Sequence, residues 1–263
     1  MPIPLNMESD DILVDHTLMV ERVITAMRAE TELLSLNDYA DIAGLSPFYF
    51  NRIFRSIIGI PPGEFATSLR FERAKLLLLT TPASVTDICF EVGYGSLGTF
   101  SSRFKSLVGV SPAEFRQMPD TVSDLDFSQS TFRINPAQLH IRGRIEGTMT
   151  FPEGQKSSIF IGVFPGSLAV SRPVVGRMLT EPGSWELPHV PYGRWVVLSA
   201  AVPSQNDPLH HLVPQGQLLV ASSVPFNIHP GEEVKQIHLN YAAPSPLHAP
   251  VVVALPALLM GED

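Results

Sequence analysis

The chain has 263 residues, a formal net charge of −8, and a composition that is 44% hydrophobic but only 17% charged. That length can hold two cores, the composition excludes a disordered chain, and a single cysteine excludes an intramolecular disulfide framework. No apolar run reaches transmembrane length and the N-terminus lacks a basic-then-apolar secretory layout, so a cytoplasmic location is expected.

Residues 1 to 13, with Pro2, Pro4 and the acids Glu8, Asp10 and Asp11, read as a loose lead-in. From Val14 to Glu32 the apolar positions Val14, Leu18, Val20, Val23, Ile24 and Met27 predict an amphipathic helix. Ser35 is an N-cap with Asp38 three residues on, in the position of a capping box. That helix runs to Ala43, turns through Gly44-Leu45-Ser46, and the chain restarts with Pro47 at the first helical position. In the helix Pro47 to Ile57, Phe50, Ile53, Phe54 and Ile57 form the buried stripe, while Phe48, Asn51, Arg52 and Arg55 point outward. Pro61-Pro62-Gly63 then opens a long helix from Glu64 to Leu79, whose Phe65, Leu69, Ala74, Leu77 and Leu78 can touch what lies on either side. Arg70, Arg73 and Lys75 on it suit either phosphate contact or simple solvation.

The segment Val85 to Arg116 repeats this pattern. Val85, Ile88, Cys89 and Val92 keep helical spacing, Gly93-Tyr94-Gly95 breaks the helix, and Ser96 caps a new one. Phe100 and Phe104 match Phe50 and Phe54, Lys105 matches Arg55, Gly109 matches Gly59, and Pro112 to Phe115 match Pro62 to Phe65. Cys89 sits on the apolar face and reads as a buried core thiol. A single helix-turn-helix is a weak signal, because many helical hairpins share it. Two copies about fifty residues apart on one linking helix are far more specific.

Across Gly93-Tyr94-Gly95-Ser96, Phe100, Arg103-Phe104-Lys105, Gly109, Ser111-Pro112 and Phe115-Arg116 the chain resembles the AraC/XylS transcription regulators. The resemblance covers roughly residues 15 to 118. It implies two readers entering successive major-groove segments about one turn apart. By register with the family, Phe48, Asn51 and Arg52 fall at base-reading positions. Asn can bond adenine bidentately, Arg can bond guanine, and an exposed aromatic can pack on a thymine methyl. Arg55 is placed for phosphate. In the second unit the outward positions are Leu97, Gly98 and Ser102, flanked by Thr99 and Arg103. Leu97 and Gly98 offer no side-chain hydrogen bond, so that unit is expected to hold backbone through Ser96, Thr99, Arg103 and Lys105, with apolar contact from Leu97. Between Leu34 and Gln117 eight basic residues stand against seven acidic ones, so long-range attraction to DNA should be weak. Binding should then depend on local basic faces and specific contacts.

From Asp120 to Phe132 the composition turns to Asp, Ser and Thr, as in a linker. Beyond it, strands are predicted over Gln138–Glu146, Ser158–Phe164, Gly183–Pro188, Arg194–Val202, Gly216–Ala221 and Glu233–Tyr241, which argues a β-sandwich. The stretch Gly183 to Val197, two strands about a Val190-Pro191-Tyr192-Gly193 corner, resembles transthyretin-like or carboxypeptidase-regulatory modules. Ile141 to Ile145 fits the first strand of such a module. His210-His211 lies in a Pro- and Asp-flanked loop and reads, with His189, His229 and His238, as surface histidine rather than a metal site. The apolar tail Pro250 to Met260 is expected to close the same core as a strand.

The sequence thus predicts a multidomain chain, an all-α tandem helix-turn-helix domain followed by an all-β sandwich domain. The expected boundaries are 1–122 for DNA binding, 123–133 for a linker, and 134–263 for regulation or dimerisation. Expected partners are double-stranded DNA, RNA polymerase, a second copy through the β domain and a small-molecule effector, with no membrane. No cofactor, metal or catalytic constellation is expected. A rival reading stays open, in which the chain is an interaction module whose helical half binds DNA only weakly.

Overall fold

Capped turns and pairs of phenylalanines four residues apart organise the helical half. The structure is a computed structural model and describes residues 7–29, 34–122, 131–133, 142–152, 157–203, 209–213, 218–230, 232, 234–243 and 245–258. Helices α1 (Met7–Ala29), α2 (Leu36–Ala43), α3 (Pro47–Ile58) and α4 (Pro62–Thr80) are followed by α5 (Val85–Glu91), α6 (Leu97–Val108) and α7 (Pro112–Val122). Helix α1 starts earlier than the sequence suggests, taking in Glu8, Asp10 and Asp11 rather than leaving them in a loose lead-in. Its apolar pattern is only partly buried. Val20, Val23, Ile24 and Met27 are in the core, whereas Val14 and Leu18 are each 59% exposed.

The helical half has two apolar clusters rather than one. The first gathers Phe50, Phe54 and Phe65 with α1 and α2 residues, and the second gathers Phe71, Phe100, Phe104 and Phe115 with Ile88 and Cys89. In the first, Phe50–Phe54 and Phe54–Phe65 meet edge to face with ring centroids 5.6 Å apart; in the second, Phe100–Phe104 and Phe104–Phe115 both sit at 5.7 Å. Helix α4 crosses between them, giving Phe65 and Leu69 to the first cluster and Phe71, Ala74 and Leu78 to the second.

The C-terminal half consists mainly of strands: β1 (Thr131–Arg133), β2 (Arg142–Thr150), β3 (Ser157–Phe164), β4 (Val175–Leu179), β5 (Ser184–Pro191), β6 (Gly193–Pro203), β7 (Leu219–Ser222), β8 (Phe226–Ile228) and β9 (Val234–Asn240). They form a six-stranded sheet in the order β1-β4-β3-β6-β7, with β8 also on β6, and a three-stranded sheet β5-β2-β9. Pairs are antiparallel except β2 with β9. Tyr192 separates β5 from β6, so the Val190-Pro191-Tyr192-Gly193 corner carries the chain from one sheet to the other. Ile145, Trp185 and Leu187 of the small sheet and Ile159, Ile161 and Val197 of the large one share one apolar cluster.

Four features depart from the sequence expectations. Residues 131–133 of the expected linker are strand β1, and β4 and β8 lie outside the strands predicted from sequence. His211 is buried in a short helix, α8 (Leu209–Leu212), beside Leu212 and Val213 of the second helical cluster. Lys75 is neither solvated nor free for phosphate: it is 1% exposed, and its Nζ donates to the carbonyls of Val251 at 2.9 Å and Val252 at 3.2 Å. Burial pushes this ammonium down to about 8, with Glu72 partly offsetting the effect. Finally, the described part of the apolar tail forms no strand, ending instead in a short 3-10 turn, Leu255–Leu258. It lies between the outer face of the large sheet and the second helical cluster.

Candidate DNA-reading surface

Each unit is built by the same local chemistry. Ser35 accepts from the Asp38 N–H at 3.3 Å while the Ser35 N–H donates to Asp38 Oδ2 at 2.7 Å, and Ser84 and Asp87 repeat the exchange at 3.1 and 3.2 Å. Gly44 and Gly93 then take φ of 70° and 84°, the left-handed conformation that ends α2 and turns the chain after α5. The next helix starts on a serine in both units: Ser46 accepts from the Tyr49 N–H, and Ser96 from the Thr99 N–H. A third box, Ser111 with Glu114, opens α7.

With Phe50, Phe54, Phe100 and Phe104 pinned at 0% exposure, the opposite faces of α3 and α6 must face solvent. Phe48, Arg52 and Arg55 of α3 are exposed and Asn51 is half-buried, while Ser96, Leu97, Thr99, Ser102, Arg103 and Lys105 of the second unit are all exposed. Phe48 is 81% exposed on this face. The Arg52 guanidinium lies 4.9 Å above the Tyr49 ring, which in turn meets His16 edge-on at 6.0 Å. Tyr49 was missed by the sequence reading. Its signal was its place three residues before Arg52 on one helix.

In the second unit, Ser96 Oγ donates to Thr99 Oγ1 at 2.9 Å, so the Ser96 proton is taken up within the cap. Arg103 of α6 and Arg70 of α4 both lie near Tyr94, whose hydroxyl is pushed up mainly by burial and pulled partly back by these two cations. Apart from Arg70, the other basic side chains of the helical half have partners elsewhere, Arg22 on the Ile42 carbonyl and Arg28 on Glu72 among them. Arg73 pairs with Glu91 at 3.0 Å, and Arg116 donates to the carbonyls of Leu78 and Ala83, tying α7 to the end of α4. The outward faces of α3 and α6 thus present Arg52, Arg55, Arg103 and Lys105, in a helical half that is acidic overall. Among the described residues no group of His, Cys, Asp and Glu could hold a metal ion, and no helix is long and apolar enough to cross a membrane.

Two capped helix pairs, each presenting an exposed polar second helix from a shared linking helix, define a tandem helix-turn-helix fold. The family described as "Helix-turn-helix domain" matches residues 39–118. The HTH-type transcriptional activator AarP of Providencia stuartii is 36% identical over 95 residues, covering 36% of this chain and 70% of that protein. The bifunctional transcriptional activator/DNA repair enzyme AdaA of Bacillus subtilis is 39% identical over 88 residues, 34% of this chain and 42% of that protein. Among solved structures, an AraC-type DNA-binding domain-containing regulator from Chromobacterium violaceum shares 28% identity over 40% of this chain and 95% of its own, with a TM-score of 0.38. The chain belongs to the AraC-type helix-turn-helix transcription regulators. The family model's match lies within the helical half, and the chain spans less than half the length of AdaA.

Proposed function

We propose that the chain binds double-stranded DNA sequence-specifically and regulates transcription, reading the major groove with two helix-turn-helix units. The observation that carries this reading is the α3 face, where Phe48, Asn51 and Arg52 stand together on a capped second helix with the Arg52 guanidinium held over Tyr49. Asn51 and Arg52 supply hydrogen bonds to base edges and Phe48 an apolar contact, while Arg55 takes phosphate. The second unit holds mostly backbone through Thr99, Arg103 and Lys105, with Ser96 organising the helix end, Ser102 beside them, and Leu97 touching apolar base edges.

In this reading the helical domain comprises residues 1–122. Residues 134–263 form a β-sandwich of the transthyretin-like kind; its support is two sheets around one core, joined through the Val190-to-Gly193 corner. That region takes the regulatory contact, a second copy of the chain or a small-molecule effector, and the DNA-bound protein meets RNA polymerase. The experiment is selection of random duplex DNA by the full chain at one stated salt concentration. A selected motif whose enrichment collapses in Arg52→Ala supports the assignment. Enrichment of nothing by the full chain would instead favour an interaction module that binds DNA weakly.

A further inference from the structure

The two helical clusters touch through α4, yet a second connection runs through the C-terminal half. The loop of residues 165–172 reaches the C-terminal ends of both outward-facing helices. A Cβ placed on Gly59, just past α3, would meet Ser167 at 3.4 Å, and the Ser171 N–H donates to the carbonyl of Leu107 in the last turn of α6 at 2.7 Å. Leu168 packs on the first cluster and Val170 on the second. Ser171 sits at φ 61°, a conformation that a non-glycine residue holds only where its surroundings fix it.

The tail repeats this bridging. Leu247 and Ala249 pack on the first cluster, Val252 and Ala254 on the second, and Val251 and Val253 between them turn to the outer face of the large sheet. The Ala254 N–H donates to the Val108 carbonyl at 3.0 Å. Helix α6 thus has two of its terminal carbonyls, those of Leu107 and Val108, satisfied by backbone of the C-terminal half. Lys75 marks the tail as a separable contact. An apolar side chain there would seal the seam, whereas an ammonium regains its hydration when the tail leaves, which lowers the cost of opening.

We propose that the C-terminal half is a clamp that fixes the two helix-turn-helix units against each other, with residues 247–258 as its releasable latch. The clamp leaves the outward faces of α3 and α6 free and acts on their relative placement. Any event in the β region that moves the 165–172 loop or the tail therefore changes how well the two readers match two half-sites at once. This regulation rests on the reading of the two units as DNA readers, whereas the clamp itself does not.

The test uses the full chain with spin labels at Ser56→Cys and Ser106→Cys, two exposed positions near the ends of α3 and α6; Cys89 is buried and stays unlabelled. Val252→Asp places a charge in the seam, and Ser171→Pro removes the donor to Leu107 and, since proline cannot hold φ 61°, also forces the 165–172 loop out of its conformation, without adding charge. Limited proteolysis reports tail release, and circular dichroism reports helical integrity. The expected result is a single narrow distance distribution in the parent that broadens in both variants while the helical content holds. On DNA, the parent should discriminate the selected half-site spacing from a shifted one by about tenfold, and the variants should lose this while keeping single half-site affinity. A distribution that stays narrow after the tail has become protease-sensitive would overturn the clamp, since α4 alone would then fix the units. A tail that stays protected in both variants, or helices that melt with it, would overturn it equally. A parent that selects no DNA but shows the expected distance changes would discard the DNA reading and leave the clamp standing.

Discussion

The two helix-turn-helix units share a frame and differ in what they present. Matching residues are 49 apart before the turn and 50 apart after it, because Gly95 makes the second turn one residue longer. Capping boxes, left-handed glycines and the phenylalanine ladder recur at matching places. Outward, the correspondence ends. Phe48, Asn51 and Arg52 of the first unit stand where the second has Gly98, Ser101 and Ser102. Packing constrains the inward residues of both units alike, since a buried aromatic has one shape of hole to fill. Nothing in the fold constrains the outward ones, so the difference between them is a difference of task.

The strongest way to break the comparison is through the shared frame. Phe54→Ala and Phe104→Ala each remove a fully buried ring and should cost about 3–5 kcal/mol of stability in chemical denaturation. Because the clusters are separate, hydrogen exchange should rise mainly within the mutated unit. Equal loosening of both units by either substitution would show that the two cores act as one. Next in size is the difference in task. Arg52→Ala should lose about 1–3 kcal/mol on the selected site and much less on random DNA, while Ser102→Ala at the matching place should lose little on either. Grafting an arginine by Ser102→Arg should give the second unit a base preference of its own in a fresh selection; no change in the selected motif would mean that α6 does not lie against base edges. Smaller still, Lys105→Ala should weaken all sequences about equally and reduce the salt slope by about one unit. A loss confined to one sequence would move Lys105 from phosphate to base.

Much of the frame was legible in the sequence because it is local. Ser35 with Asp38, Pro47 at a helix start, and Phe100 with Phe104 declare themselves within four residues. The outward placement of Phe48, Asn51 and Arg52 follows from the same periodicity; the structure exposes Phe48 and Arg52 and leaves Asn51 half-buried. What escaped was set by distant chain. Lys75 looks like any helix-surface lysine until the carbonyls of Val251 and Val252, some 176 residues on, close over it. The tail's alternation reads as a strand, but Val252 and Ala254 face the helical cluster and not a neighbouring strand. Gly147 gave no hint in sequence either. A Cβ there would meet the Ile237 carbonyl at 1.7 Å, so the close approach of β2 and β9 requires glycine.

The capping boxes give the finest comparison, and its sign can be worked out. The Ser35 side chain first, then its backbone N–H, holds the Asp38 carboxyl below its ordinary 3.8; Ser84 does the same for Asp87. A carboxyl whose folded value lies below its unfolded one stabilises the fold above the unfolded value and loses that contribution as pH falls through the folded one. Both helix starts should therefore hold at pH 5 and loosen below about 3.8, read from the backbone amide shifts of Asp38 and Asp87. The second box carries one more bond, Ser84 Oγ donating to Asp87 Oδ2 at 2.6 Å. Ser84→Ala should accordingly move the Asp87 titration further toward its ordinary value than Ser35→Ala moves that of Asp38. Both serine variants should leave the aromatic clusters intact, since the caps sit at exposed helix ends. If the two aspartates titrate at 3.8 in the unaltered protein, the boxes are geometric only, and the likeness of the two units rests on their phenylalanines alone.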